Sequence, residues 1–347
     1  MARYVLAGDV GGTKTDLALY ALPKSRAAAK PARRHRAENA GAAPGLELVR
    51  EATVPSKGRG GLEEILESFL ATGKEKPVAA AFGIPGPVID EVVVTTNLPW
   101  RIDAKGVGKA IGTRHVRLMN DLETTAFGAL FLAPDELEAL QPGKSRRGNR
   151  AVIAAGTGLG QAFLHWNGRT HVPSATEGGH ADFAPRDDRE MELLRFLRQK
   201  FGRVSWERVV SGMGLANLWE FATTHEKRSP GDAVRKRLAA GDDVGAVIGE
   251  AAVAGSDPLC AEVVDWFVRL YGAQAGNLAL TVMATGGVYV GGGIVGKLLP
   301  RVRGGGFLAA FRAKGRYEAF MEEIPVRVIL NPRCSRLGAA EAARALL

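Results

Sequence analysis

The sequence predicts an α/β protein made of two related domains, each opening on a strand, a glycine turn and a second strand. Three observations carry this. Val5 to Tyr20, VLAGDVGGTKTDLALY, passes from an apolar run through Gly11-Gly12 into a polar–apolar alternation, the period of a half-buried strand. Ala151 to Trp166, AVIAAGTGLGQAFLHW, repeats that layout with Gly156-Thr157-Gly158 as its turn. Between and after the two hairpins, short apolar runs alternate with helical periods. One hairpin in each half suggests two related domains whose phosphate turns face each other across a cleft.

The composition is that of an ordinary globular chain. It has 347 residues, 46% hydrophobic and 24% charged, enough for two domains and a large core. The 44 glycines imply many tight turns. Two cysteines, Cys260 and Cys334, are too few for a disulfide framework and point to a reducing compartment. No charged-then-apolar leader and no bilayer-length apolar run is present, so a cytoplasmic protein is expected, without a membrane partner. The net charge of +9 raises a nucleic-acid partner. Much of that excess sits between Lys24 and Arg36, which has no acid and no aromatic side chain for base stacking. A solvated basic insert, Pro23 to Gly45, is the better reading, and no nucleic-acid partner is expected.

The first hairpin places Gly8, Asp9, Val10, Gly11, Gly12 and Thr13 at or beside its tip. Glycines there admit backbone angles closed to other residues and let a ligand approach the main chain. Successive N–H groups can form an anion-binding nest, and Asp9 can hold the water shell of a magnesium ion. An ordinary hairpin tip has the same letters. The run is not a Walker loop, because Thr13 stands where that pattern needs glycine and a strand follows.

Leu46 to Val54 reads as a strand. Leu62, Ile65, Leu66, Phe69 and Leu70 define a helix face. Pro77 to Phe82 is an apolar strand ending at Gly83-Ile84-Pro85-Gly86-Pro87, a fixed loop. Val92 to Thr96 is a short strand running into Asn97-Leu98-Pro99-Trp100, and a helix follows from about Asp103 to Ile111. His115 to Met119 is a strand, with Asn120 and Asp121 at its carboxyl end and a helix after them. Ligands of open α/β sheets bind beyond the carboxyl ends of strands. Helix capping explains Asn120 and Asp121 equally well.

Gln141 to Arg150 reads as a loop before the second hairpin. Ser174 to Pro185 reads as a loop carrying Glu177 and His180. With no convincing third ligand nearby, a polar pocket for a hydroxylated ligand fits this pair better than zinc. Glu207 falls in the first turn of a helix, where the helix dipole alone favours an acid. Pro258 to Met283 is a long helix. The strand GVYVG then runs into Gly291-Gly292-Gly293 and a helix start, a good site for the phosphate or ribose side of a nucleotide. Pro325 to Leu330 is the last strand and Ser335 to Leu347 an Ala-rich terminal helix.

The stretches GDVGGTKT, GIPGPV, TTNLPW, MNDLETTAFG, AAGTGLGQA, EGGHADFAP, SWERVVSGMG and YVGGGIVGKLL, in this order, resemble the bacterial glucokinase family. That family belongs to the superfamily of sugar kinases, heat-shock ATPases and actin. The resemblance covers nearly the whole chain. The glycine motifs are shared across the superfamily, whereas EGGH and the MND stretch are specific to bacterial hexose kinases.

The resemblance implies two actin-like, ribonuclease H-like domains with mixed sheets flanked by helices and the active site in the cleft between them. A smaller domain would span 1–119, with the terminal helix 332–347 packed back on it, and a larger one 120–331. It implies ATP-dependent phosphorylation of D-glucose to glucose 6-phosphate, an ATP:D-glucose 6-phosphotransferase, with Mg2+, in a homodimer. Asp121 resembles the catalytic base. Asn97, Asn120, Glu177, His180 and Glu207 match the sugar-contacting positions. Gly8 to Thr13, Gly156-Thr157-Gly158 and Gly291 to Gly293 match the nucleotide-binding stretches, and Asp9 the magnesium side. Domain closure over the sugar would exclude water.

Two departures stand out. The basic insert is longer than the family's pattern, and Lys14 stands where a small polar residue is expected, free to reach a phosphate or point to solvent. Competing readings are a kinase for another hexose or phosphate donor, and a non-catalytic sugar sensor or nucleic-acid-binding regulator. The intact Asp121 and glycine turns argue against the last.

Overall fold

The computed structural model describes residues 2–23, 45–95 and 97–347; most of the basic insert, and Thr96 of the TTNLPW stretch, lie outside the described residues. The chain divides into two units. The first comprises Met1–Glu138, Thr170–Ala175 and Asn331–Leu347, the second Ala139–Arg169 and Thr176–Leu330.

The first unit contains strands β1 (Tyr4–Val10), β2 (Lys14–Ala21), β3 (Glu47–Pro55), β4 (Pro77–Ile84), β5 (Val88–Ile89), β6 (Val92–Val94), β7 (Arg101–Asp103) and β8 (Val116–Asn120). Its main sheet has the order β3-β2-β1-β4-β8, and β5-β6-β7 form a small second sheet. β1 and β2 are the antiparallel hairpin, while β4 runs parallel to both β1 and β8. Asp9 pairs with Gly83, and Ile84 with Asn120, so β1, β4 and β8 end at one edge of the sheet.

This sheet is covered on both faces. Leu6, Leu17, Leu19, Phe82 and Ile84 meet the helices Leu62–Ala71 and Ala104–Ile111 on one side. Val5, Ala7, Ala18 and Ala81 meet Ala339, Ala340 and Ala343 of the terminal helix Cys334–Ala345 on the other. Hence β2, expected half-buried from its alternation, is buried almost throughout. The small alanines on the terminal-helix side are what hid its second covered face.

The terminal helix also meets the helix Asp121–Gly128 at very short range. A Cβ on Gly338 would lie 1.9 Å from the Thr124 carbonyl oxygen, and one on Gly128 2.0 Å from that of Cys334. This contact draws the segment after β8 into the first unit, whose limit falls at Glu138 rather than at 119.

The second unit is built on β9 (Leu137–Gln141), β10 (Arg150–Ala155), β11 (Leu159–Trp166), β12 (His171–Thr176), β13 (Gly287–Gly291) and β14 (Val326–Ile329). The sheet order is β12-β11-β10-β13-β14-β9, its outermost strands straddling the unit limits. β10 and β11 are antiparallel, and β13 is parallel to β10 and β14. The series β11-β10-β13-β14 thus repeats β2-β1-β4-β8, which makes the two units related in topology as well as in motif. β9 and β12 were not foreseen. LEALQ has helix-forming composition, and HVPSAT lacks a clean apolar period, so their pairing comes from the neighbouring strand rather than from local preference.

The helix Pro258–Thr281 is the spine of the second core. Asp257 caps it, accepting from the Cys260 N–H at 2.9 Å. Among the described residues no single helix is long and apolar enough to cross a membrane; this helix and Val244–Ala254 form a bent apolar pair whose side chains line the core.

Candidate active site

In the first unit the candidate residues collect at the carboxyl ends of β1, β4 and β8. The hairpin tip closes by the Gly11 N–H donating to the Lys14 carbonyl at 2.9 Å, and Thr13 O accepts from the Ser56 N–H at 2.9 Å. Asn97 stands beside the tip: a Cβ on Gly12 would be 2.9 Å from its Cβ, so the bare glycine admits it. Gly8 and Val10 do other work. A Cβ at Gly8 would lie 2.5 Å from the Phe82 ring, and Val10 is in the core, so neither offers a side chain to a ligand.

Asp9 is held by Ser335, whose hydroxyl donates to Oδ1 at 3.0 Å. Burial pushes its carboxyl up to about 6, against the Ser335 bond, and the charges of Asp121 and Asp16 push the same way. Three carboxylates therefore share this edge. Lys14 Nζ lies 3.2 Å from Asp16 Oδ2 with most of its side chain in solvent, which settles where it points.

Asn120 caps the helix Asp121–Gly128: its Oδ1 accepts from the Leu122 N–H at 2.9 Å. Its Nδ2 donates to the Gly86 carbonyl at 3.2 Å, tying the GIPGP loop to the end of β8. The capping reading of Asn120 holds, therefore, and one amide hydrogen remains beyond it. Asp121 follows in the first turn and accepts from the Leu122 N–H at 2.9 Å.

In the second unit Glu177, His180 and Glu207 converge. His180 Nε2 is 4.0 Å from a Glu177 oxygen, and Nδ1 is 4.0 Å from Glu207 Oε1. Glu207 lies in the first turn of a short 3-10 helix, Trp206–Arg208, and its carboxylate also reaches beyond that turn. Its Oε2 accepts from the Leu159 N–H at 3.0 Å, joining the turn to the β10–β11 hairpin. Gly158 makes room for this, since a Cβ there would be 2.4 Å from that oxygen.

The glycine stretches of this unit adjoin. Gly156 N–H donates to Gly158 O at 2.9 Å, and Gly212 N–H to Gly156 O at 2.8 Å. Gly292 has φ +89° and would carry a Cβ 2.1 Å from Ala155 O, so Gly291 to Gly293 sit against the end of β10. Thr157 lies at the exposed tip between them. No cluster of three or more metal-ligating His, Cys, Asp or Glu side chains exists among the described residues.

Comparison with known proteins decides the family. The glucokinase family model matches residues 6–346. The chain belongs to the glucokinase family. It is 38% identical to the glucokinase of Nostoc punctiforme and 38% to that of Trichormus variabilis, each over 97% of both chains. A crystal structure of glucokinase from an Antarctic psychrotroph is 27% identical, with a TM-score of 0.80 over 99% of both chains.

Within this glucokinase family member, three residues that were not among the expected site residues support the site. Tyr271 is buried in the spine helix; its hydroxyl accepts from the Ala155 N–H at 3.0 Å and lies 2.9 Å from Gly291 O and 3.1 Å from Ile153 O. One phenol thereby fixes both glycine stretches from below. Ser335 holds Asp9 and also shares a hydrogen bond with Thr124 at 2.9 Å. Gln161 lies beneath Gly178, which a Cβ would bring to 2.5 Å from its Oε1. The available signal was a polar letter inside an apolar run, at 161 and 271; nothing marked Ser335.

Proposed function

We propose that this glucokinase family member transfers the γ-phosphoryl group of ATP to the 6-hydroxyl of D-glucose, with Asp121 as the general base. The observation that carries the assignment of Asp121 is its position at the strand edge that also holds Asp9 and the Gly11–Thr13 tip. A sugar hydroxyl is a poor nucleophile and must lose its proton as it attacks phosphorus. Asp121 takes that proton, and ADP leaves with the former β–γ bridging oxygen.

Glu177, His180 and Glu207 offer both acceptors and donors at the spacing of a hydroxylated ring, which supports their role in holding glucose. Asn97 and the spare hydrogen of Asn120 are the donors proposed for the sugar in the first unit. The backbone of Gly11 to Thr13, Gly156 to Gly158 and Gly291 to Gly293 serves ATP, with Thr157 adding a hydroxyl.

The crowding of carboxylates around Asp9 supports a divalent cation there. One or two carboxylates with substrate phosphates and water is the donor set that magnesium takes. Asp9 would hold it through water, and the ion would neutralise charge on the phosphate oxygens. The family resemblance supports a homodimer, measurable by sedimentation, and the use of ATP supports action in the cytoplasm, measurable by fractionation.

A coupled ADP-release assay over a hexose panel tests the reaction; no turnover with glucose rejects it. Asp121→Asn should lower kcat about 10²–10⁴-fold while calorimetry still detects glucose binding. Retention of more than about a tenth of wild-type turnover places the base elsewhere.

A further inference from the structure

The second unit holds an open cavity of about 680 Å3 that this chemistry does not use. Phe163, Leu278 and Val282 give it apolar walls, and Gln161, Gln274 and Asn277 give it carboxamides. Among the described residues no charged side chain lines it. Its wall also includes Thr176, Gly178 and Ala181, which flank Glu177 and His180.

Its amides are unevenly satisfied. Gln274 Oε1 accepts from Asn277 Nδ2 at 3.0 Å, and Asn277 Oδ1 accepts from Lys314 Nζ at 2.7 Å. The Lys314 cation therefore reaches the cavity only through Asn277. Gln161, 2% exposed, has its Nε2 buried with no hydrogen-bond partner. An unmade bond of this kind costs about 1–3 kcal/mol. An occupant within reach of Nε2 would make that bond.

We propose that the cavity is a second binding site, for a small neutral hydroxylated molecule of the sugar or polyol class. Carboxamides donate and accept together, as ring hydroxyls require, and Phe163 offers an apolar face to the carbon skeleton. The lack of a lining cation disfavours nucleotides and sugar phosphates.

The probe is glucose, a choice that rests on the kinase reading. Equilibrium dialysis of the full chain with radiolabelled glucose and no ATP should give two sugars per chain. Thr281→Trp fills the cavity from an exposed position; it should bind one sugar and keep its turnover with ATP. Gln161→Leu should weaken the second site about tenfold, the loss of one hydrogen bond. Glu177→Ala should remove the other site and keep this one. One sugar per chain in the wild type, or two in Thr281→Trp, overturns the proposal. Two sugars bound without turnover would reject the kinase reading and leave the cavity standing.

Discussion

Glu207 reaches the Leu159 amide only because position 158 carries no side chain. Gly158→Ala should displace the carboxylate and lose a charge-assisted bond of about 1.5–3 kcal/mol, or about 10–100-fold in glucose affinity. Calorimetric titration with glucose measures it; unchanged affinity would mean that Glu207 is held some other way. Glu177→Ala makes a contrasting case. Its carboxylate is more than half exposed, so sugar binding should weaken far more than ATP binding. Equal loss of both would assign it a phosphate role. At Lys14 the structure chooses between two readings that the sequence leaves open. The side chain pairs with Asp16, two residues further along β2, and most of it stands in solvent.

Two close approaches set the element scale. The terminal helix lies on the helix Asp121–Gly128 with glycine facing backbone on both sides, and Asp121, proposed above as the general base, opens that second helix. Gly338→Ala forces a methyl group against the Thr124 carbonyl and should destabilise the fold by on the order of 3 kcal/mol, read from a urea unfolding midpoint. A variant as stable as wild type would show that the helices separate without cost. Tyr271→Phe tests the other approach. It leaves the buried Ala155 N–H without its partner, at about 1–3 kcal/mol. Because the phenol also bonds beneath Gly291, ATP affinity should fall while glucose affinity holds; a stability loss alone would make Tyr271 purely structural.

At the scale of the whole molecule, stability should depend on pH through carboxyls buried on folding. Glu341 of the terminal helix is pushed up from 4.5 to about 7 by burial, partly opposed by Arg344. A raised carboxyl binds its proton more tightly when folded. Its contribution is therefore complete below pH 4.5 and is lost as the pH rises through about 7. Asp9, raised to about 6, acts in the same direction. Glu341→Gln should thus equal wild type near pH 4.5 and exceed it by about 3 kcal/mol at pH 8 in urea unfolding. A difference that does not change with pH would remove Glu341 from the balance.

The sequence by itself determined the pair of glycine hairpins, the strands that follow them and the edge where Asp9, Asn120 and Asp121 stand. Those features repeat local signals: apolar runs, breakers and turn residues act within a few positions of themselves. The EGGH and SWER stretches were legible as motifs. That Glu207 leaves its own turn to hold the β10–β11 hairpin was not, because the partner lies 48 residues away. Ser335 under Asp9 is more distant still, 326 residues along the chain. Likewise β9 and β12 exist through pairing, the second buried face of β2 through a helix at the far end of the sequence, and the Tyr271 bridge through the packing of the spine helix on its sheet. Tertiary structure decided these, since hydrogen bonds and burial act through space, and a single chain read in order shows only its neighbours along the backbone.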